Sequence, residues 1–137
     1  MKVQNINSLE CFKKLSSNKE AYLVDVRTTS EWKFVGVPDL TIIDNSTVFI
    51  SWEEYPDMDI NTNFEKQIMQ KNIKKNDHIF LICRSGTRSL KAAQNLLLFG
   101  YKNCYNVSDG FEGQKNNIGQ RSNINGWKFN KLPWKQE

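Results

Sequence analysis

A chain of 137 residues, 39% hydrophobic and 25% charged, has the proportions of one ordinary globular domain with its own core. Its net charge of +4, from 19 Lys and Arg against 15 Asp and Glu, is spread without a dense basic run, which argues against a nucleic-acid partner yet suits a small anionic substrate. No stretch approaches the roughly eighteen apolar residues of a membrane span, so no membrane association is expected.

Residues 2–6 predict a short first strand, and Ser8 is placed to cap a helix through about Leu15, with Leu9, Phe12 and Leu15 on one face. The opening Met1–Asn7 turns polar at once and lacks the apolar core of a signal peptide, so a cytoplasmic location is expected. Three cysteines, an odd and sparse set, agree: they are not a disulfide framework, and the sequons at Asn45 and Asn106 read as chance matches. The apolar run Ala21–Val26 predicts a buried strand. Thr29 or Ser30 then opens a short helix holding Glu31, Trp32 and Phe34, closed by Gly36-Val37-Pro38. Leu40–Ile43 reads as a second buried strand, and Val48–Ile50 as a further strand segment. Trp52 and Tyr55 suggest a packed loop within 44–63.

Phe64 to about Asn72 predicts a helix, and His78–Cys83 is the strongest strand pattern in the chain. A helix over about Thr87–Phe99 follows, with Leu90, Ala93, Leu96 and Leu97 on one stripe and Gly100 stopping it. Cys104–Val107 reads as the last strand, residues 114–126 as a polar surface loop, and Trp127, Phe129, Leu132 and Trp134 as apolar side chains returning to the body. Strands alternating with helices point to a single α/β domain over 1–137, with a core at about 2–113 and a closing segment at 127–137.

The chemistry concentrates in Cys83-Arg84-Ser85-Gly86-Thr87-Arg88-Ser89, between a buried strand and a helix. In open parallel sheets, sites form outside the carboxyl ends of strands. A helix N-terminus there offers unpaired N–H groups and a positive potential, which favour an anion and a thiolate over a thiol. Gly86 permits a turn that a β-carbon would obstruct; Ser85, Thr87 and Ser89 supply hydroxyls, and Arg84 and Arg88 supply charge for an oxyanion. Cys11 and Cys104 lack such neighbours and read as core residues. With no Cys-x-x-Cys and a single histidine, His78, which reads as a solvated strand end, neither a metal nor another cofactor is expected.

This loop resembles the active-site loop of the rhodanese family. Asp25-Val26-Arg27 with Glu31-Trp32 resembles that family's Asp-Val-Arg signature, and Gly36-Val37-Pro38 stands where its Gly-His-Ile-Pro segment falls, with Val37 in place of histidine. Asp109–Gly113 resembles its Gly-Gly turn, with Asp109 in place of the first glycine, and Gly126-Trp127 with Leu132-Pro133 resembles its closing segment, displaced by the 114–126 insertion. The resemblance implies a twisted, mainly parallel five-stranded sheet flanked by helices on both faces. It implies a sulfurtransferase: Cys83 takes sulfur from a small anionic donor such as thiosulfate, holds it as a persulfide, and yields it to cyanide, a thiol or a protein acceptor. Residues 84–89 would bind the donor, with Asp25 and Arg27 supporting the site from behind.

Two alternatives stand beside this reading. A cysteine-dependent phosphatase needs Cys-x5-Arg, whereas Cys83 and Arg88 are spaced Cys-x4-Arg, a smaller cradle. A non-catalytic rhodanese-like binding module would commonly lack the cysteine. The 44–63 and 114–126 loops, with Trp52, Tyr55 and Trp127, either wall the site or pin long loops to the core, and pinning is the simpler expectation.

Overall fold

The computed structural model describes residues 2–136. In chain order it contains strand β1 (Gln4–Ile6), helix α1 (Ser8–Ser17), β2 (Ala21–Asp25), α2 (Thr29–Val35), β3 (Val37–Pro38), a 3-10 turn (Thr41–Ile43), and β4 (Val48–Phe49). Then come β5 (Glu53–Glu54), β6 (Asp59–Ile60), α3 (Phe64–Gln70), β7 (His78–Ile82), α4 (Thr87–Leu98), β8 (Asn103–Val107) and β9 (Trp134–Lys135). The main sheet has five strands in the order β1-β8-β7-β2-β4, every neighbouring pair parallel. Two small antiparallel pairs, β3 with β9 and β5 with β6, lie outside it.

The alternation of side chains along each strand divides the core into two layers. Val24 of β2, Ile79 and Leu81 of β7, and Cys104 of β8 pack with Phe64 and Ile68 of α3 and with Ala92, Ala93 and Leu96 of α4. Ala21 and Leu23, Phe80 and Ile82, and Tyr105 and Val107 face the other way, onto Cys11 and Leu15 of α1 and onto Phe111, Trp127 and Leu132. Cys83, directly after β7, falls in the α3/α4 layer.

Several local expectations are corrected. Leu40–Ile43 is not a buried strand: Asp39 accepts from the Thr41 amide and hydroxyl, and Asp44 takes φ 56°, so the chain closes into a 3-10 turn. Leu40 is buried while Ile42 is 76% exposed, an inward spacing of three that a strand cannot give. Asn7, not Ser8, caps α1, accepting from the Glu10 amide at 2.9 Å, which turns Cys11 and Leu15 inward and leaves Leu9 exposed. The inward side of α4 is Ser89, Ala92, Ala93 and Leu96, with Leu90 and Leu97 only partly covered. Strand β8 is not the last, because Trp134–Lys135 returns to pair with Val37–Pro38. His78 is not a solvated strand end; its Nδ1 lies 3.0 Å from the Tyr105 hydroxyl, and the two rings stack.

Candidate active site

Cys83 follows the carboxyl end of β7, between β2 and β8, and is almost completely buried. Its Sγ accepts from the Gly86 amide at 3.1 Å and from the Ser89 amide at 3.4 Å, and lies 3.1 Å from Ser89 Oγ. Gly86 is the N-cap of α4, where a Ser or Asp side chain would ordinarily satisfy the third helical amide. Glycine has no such side chain, and the sulfur takes that place. The positive end of a twelve-residue helix therefore terminates on the Cys83 sulfur.

Two glycines make the turn possible. Gly86 has φ +102°, and a β-carbon there would stand 2.5 Å from the Ser108 carbonyl oxygen. Gly110 has φ +66° and lets the 110–113 turn press against the loop, where a β-carbon would collide with the Arg84 carbonyl. That turn braces the loop through Phe111 N–H to the Cys83 carbonyl (2.8 Å), and through Glu112 and Gly113 N–H to the Arg84 carbonyl (3.0 and 3.1 Å).

The six residues after Cys83 have distinct surroundings. Ser89 is fully buried, and its hydroxyl donates to Asn106 Oδ1 at 2.6 Å. Ser85, Thr87, Arg84 and Arg88 line a cleft of about 410 Å3 with Cys83, Glu31, Glu53 and Met58. Arg84 and Thr87 are exposed at its mouth. Arg88 makes a two-pronged ion pair with Glu31, at 2.6 and 2.9 Å. Burial alone would raise the Glu31 carboxyl, but hydrogen bonds and charge from Arg88, with the Thr28 amide and hydroxyl, bring it down to about 2. The Glu31 hydrogen bonds raise Arg88 above its ordinary value against burial, with smaller help from the charges of Glu31, Cys83 and Glu53.

Asp25 and Arg27 do not line the cleft; they form a fully buried pair behind it. Arg27 Nη2 donates to Asp25 Oδ2 and to the Gly36 carbonyl, both at 2.7 Å, and the guanidinium lies 4.3 Å from the centre of the Phe111 ring. The Asp25 and Val26 carbonyls accept from the Ile50 and Trp52 amides, and the Arg27 carbonyl accepts from the Ser51 hydroxyl. The pair thereby fixes the segment that leads into β5, where Glu53 stands.

Four residues of the site escaped the sequence reading as site residues. Glu31 had a legible signal, since Thr28-x-x-Glu31 is a capping box that aims its carboxylate before Arg88 arrives. Asn106 is a buried amide in an otherwise apolar strand; it faces α4, and its Nδ2 donates to the Gly86 carbonyl and to Asn5 Oδ1. Glu53 and Met58 reach the cleft on the β5–β6 hairpin, which no periodicity announces. Of the aromatics considered as walls, Trp52 is buried edge-on against Phe64 and Trp127 is fully buried, donating to the Pro133 carbonyl at 2.7 Å. Tyr55 is 71% exposed, so it pins nothing, and none of the three lines the cleft.

A model of the STR4 middle domain matches residues 4–137. The chain belongs to that family. A crystal structure of the M. tuberculosis protein Rv0390 has 38% identity and a TM-score of 0.89, with all of both chains covered. An uncharacterized protein of Rickettsia conorii is 45% identical over 98% of each chain. The polysulfide-sulfur transferase homodimer of Wolinella succinogenes shares the fold, with 18% identity and a TM-score of 0.68 over 98% of this chain and 80% of that one. Other neighbours and distant relatives are rhodanese-like domain proteins, and the five-stranded parallel sheet with its helices is the rhodanese-like fold that the motifs implied. No helix among the described residues is long and apolar enough to cross a membrane, and no group of three or more His, Cys, Asp or Glu side chains among them could hold a metal ion.

Proposed function

We propose that this protein is a sulfurtransferase that carries sulfane sulfur as a persulfide on Cys83, from an anionic donor to a thiol or cyanide acceptor. The observation that carries this reading is the seat of the sulfur: Sγ accepts from the Gly86 and Ser89 amides at the start of α4, beside the Ser89 hydroxyl. Preorganised donors of this kind stabilise an anionic sulfur without reorganising during the reaction. The Cys83 thiolate attacks the donor's outer sulfur, forming one S–S bond as the bond joining that sulfur to the rest of the donor breaks (S–S in thiosulfate or a persulfide, C–S in mercaptopyruvate) and its electron pair leaves with the departing group. The acceptor then attacks the outer sulfur of the persulfide, and the electron pair returns to Cys83. The amides of Thr87 and Arg88 belong to the first helical turn, which has no intrahelical acceptors for them, and both residues line the cleft into which the outer sulfur would project. The fold shared with a polysulfide-sulfur transferase fits the same chemistry.

The test is intact mass and peptide mapping of the reduced protein after exposure to thiosulfate, mercaptopyruvate or a persulfidated protein thiol, beside Cys83→Ser. A gain of one sulfur on the Cys83 peptide, removed by cyanide or a thiol and absent from the variant, is the expected outcome. A folded protein that accepts sulfur from none of these donors would leave a binding module as the better reading.

A further inference from the structure

The side chains around the cleft do not make it basic. Arg84 and Arg88 are its cations, Glu31 and Glu53 its anions, and their charges cancel before Cys83 ionises. Arg88 already gives both of its terminal nitrogens to Glu31. Glu53 is half-buried on β5, where the pairing of Glu53 with Ile60 holds the hairpin beside the Cys83 loop. In the cleft that the loop lines, then, a donor meets a carboxylate with no ion-pair partner within 4 Å among the described residues.

We propose that Glu53 sets the donor class, making the site favour sulfane-sulfur compounds with a single negative charge, such as organic persulfides and thiosulfonates, over the thiosulfate dianion. This rests on the sulfur-transfer reading of Cys83. The attraction of the α4 amides and the repulsion of Glu53 both grow with the charge the donor carries, and because the arginine and glutamate charges of the cleft already cancel, the Glu53 carboxylate and the Cys83 thiolate tip the sum against each added negative charge. A dianion feels that repulsion about twice as strongly as a monoanion of the same shape.

Thiosulfate and methanethiosulfonate are such a pair, because a methyl group in the second replaces one charged oxygen of the first. With either donor, Cys83 Sγ forms a bond to the terminal sulfur and the donor S–S bond breaks. The electron pair leaves on sulfite in one case and on methanesulfinate in the other, and charge is conserved in both. The experiment measures kcat/KM for persulfide formation from each donor in the unaltered protein, in Glu53→Gln and Glu53→Ala, and in Glu54→Gln. Glu54 follows Glu53 on the strand and points to the opposite, exposed side. With a charge at cleft distances in partly aqueous surroundings, removing Glu53 raises the thiosulfate value on the order of tenfold and the methanethiosulfonate value only about threefold. The difference shrinks as salt is added, and Glu54→Gln changes the ratio little. Folded Glu53 variants that accelerate both donors equally, or neither, overturn the proposal while leaving Cys83 as the sulfur carrier. Failure of the unaltered protein to load from either donor overturns this proposal, and the sulfurtransferase reading falls with it only when mercaptopyruvate and a persulfidated protein thiol fail to load Cys83 as well.

Discussion

Replacing Asp25 by Asn should be far more damaging than the size of the change suggests. The carboxylate accepts from three donors of Arg27: its backbone amide at 3.1 Å, the Nε–H shared between the two oxygens at 3.0 and 3.2 Å, and Nη2 at 2.7 Å. Neither side chain has any exposed surface. An amide of the same shape retains little of this pairing and leaves a guanidinium charge buried without a counter-ion, which costs about 3–5 kcal/mol. Against a total stability of about 5–15 kcal/mol, that is a large fraction of the whole. For a chain of this length it corresponds to a fall in Tm of roughly 10–15 °C. Arg27→Met should cost a comparable amount by stranding the carboxylate. The double variant should lose less than the sum of the two, with a coupling of about 2–3 kcal/mol, because no charge is then left unpaired. Urea unfolding followed by tryptophan fluorescence measures all four proteins, since Trp52 and Trp127 are buried. A loss below about 1 kcal/mol for Asp25→Asn, or additive losses in the double variant, would refute the reasoning, because an uncompensated buried charge requires both effects.

Gly86→Ala should lose sulfur loading even in molecules that remain folded, because its β-carbon meets the Ser108 carbonyl and a φ of +102° resists a side chain; circular dichroism beside mass-detected loading separates the two effects. The Glu31–Arg88 pair should make stability fall with acid. The carboxyl is held at about 2 against an ordinary 4.5, so the stabilisation is complete above about pH 4.5 and is lost as pH falls towards 2. After allowance for solvent screening this is on the order of 1–2 kcal/mol, and unfolding curves of Glu31→Gln should lack that slope.

The parts of the fold legible in the sequence are those where one physical signal dominates. Ala21–Val26, His78–Cys83 and Cys104–Val107 are apolar because those strands are covered on both faces, and each forms within a residue or two of the expected bounds. Leu40–Ile43 carries the same composition but is read differently by its neighbours, since Asp39 and Asp44 close a turn before a strand can extend. The Ser8 error has the same character. Asn7 takes the cap while Ser8 bonds through amide and hydroxyl to Asp109, one hundred and one residues away. Only the fold discloses why Asp109 stands where a glycine was expected: it also accepts from the Gly126 amide at 3.2 Å and so ties the polar loop to the start of α1. In the site, the loop was legible because its residues are consecutive. Glu31, Glu53 and Asn106 come from three other segments, and nothing along the chain shows that their side chains converge.

That division bears on how such a site varies. Of the three hydrogen-bond partners of Cys83 Sγ among the described residues, two are backbone amides and the third is the buried hydroxyl of Ser89. Substitutions at Arg84, Ser85 or Thr87 leave those donors in place, provided that Gly86 keeps the turn and Asn106 keeps Ser89 oriented. If Cys83 carries sulfur as proposed, the capacity to hold it belongs to the helix terminus and its buried supports, which tolerate little change. On the proposed reading, preference among donors would reside in side chains at the rim, where one carboxylate can shift a binding free energy without touching Cys83. A site built this way can keep its chemistry while its donor changes, because the two depend on different atoms.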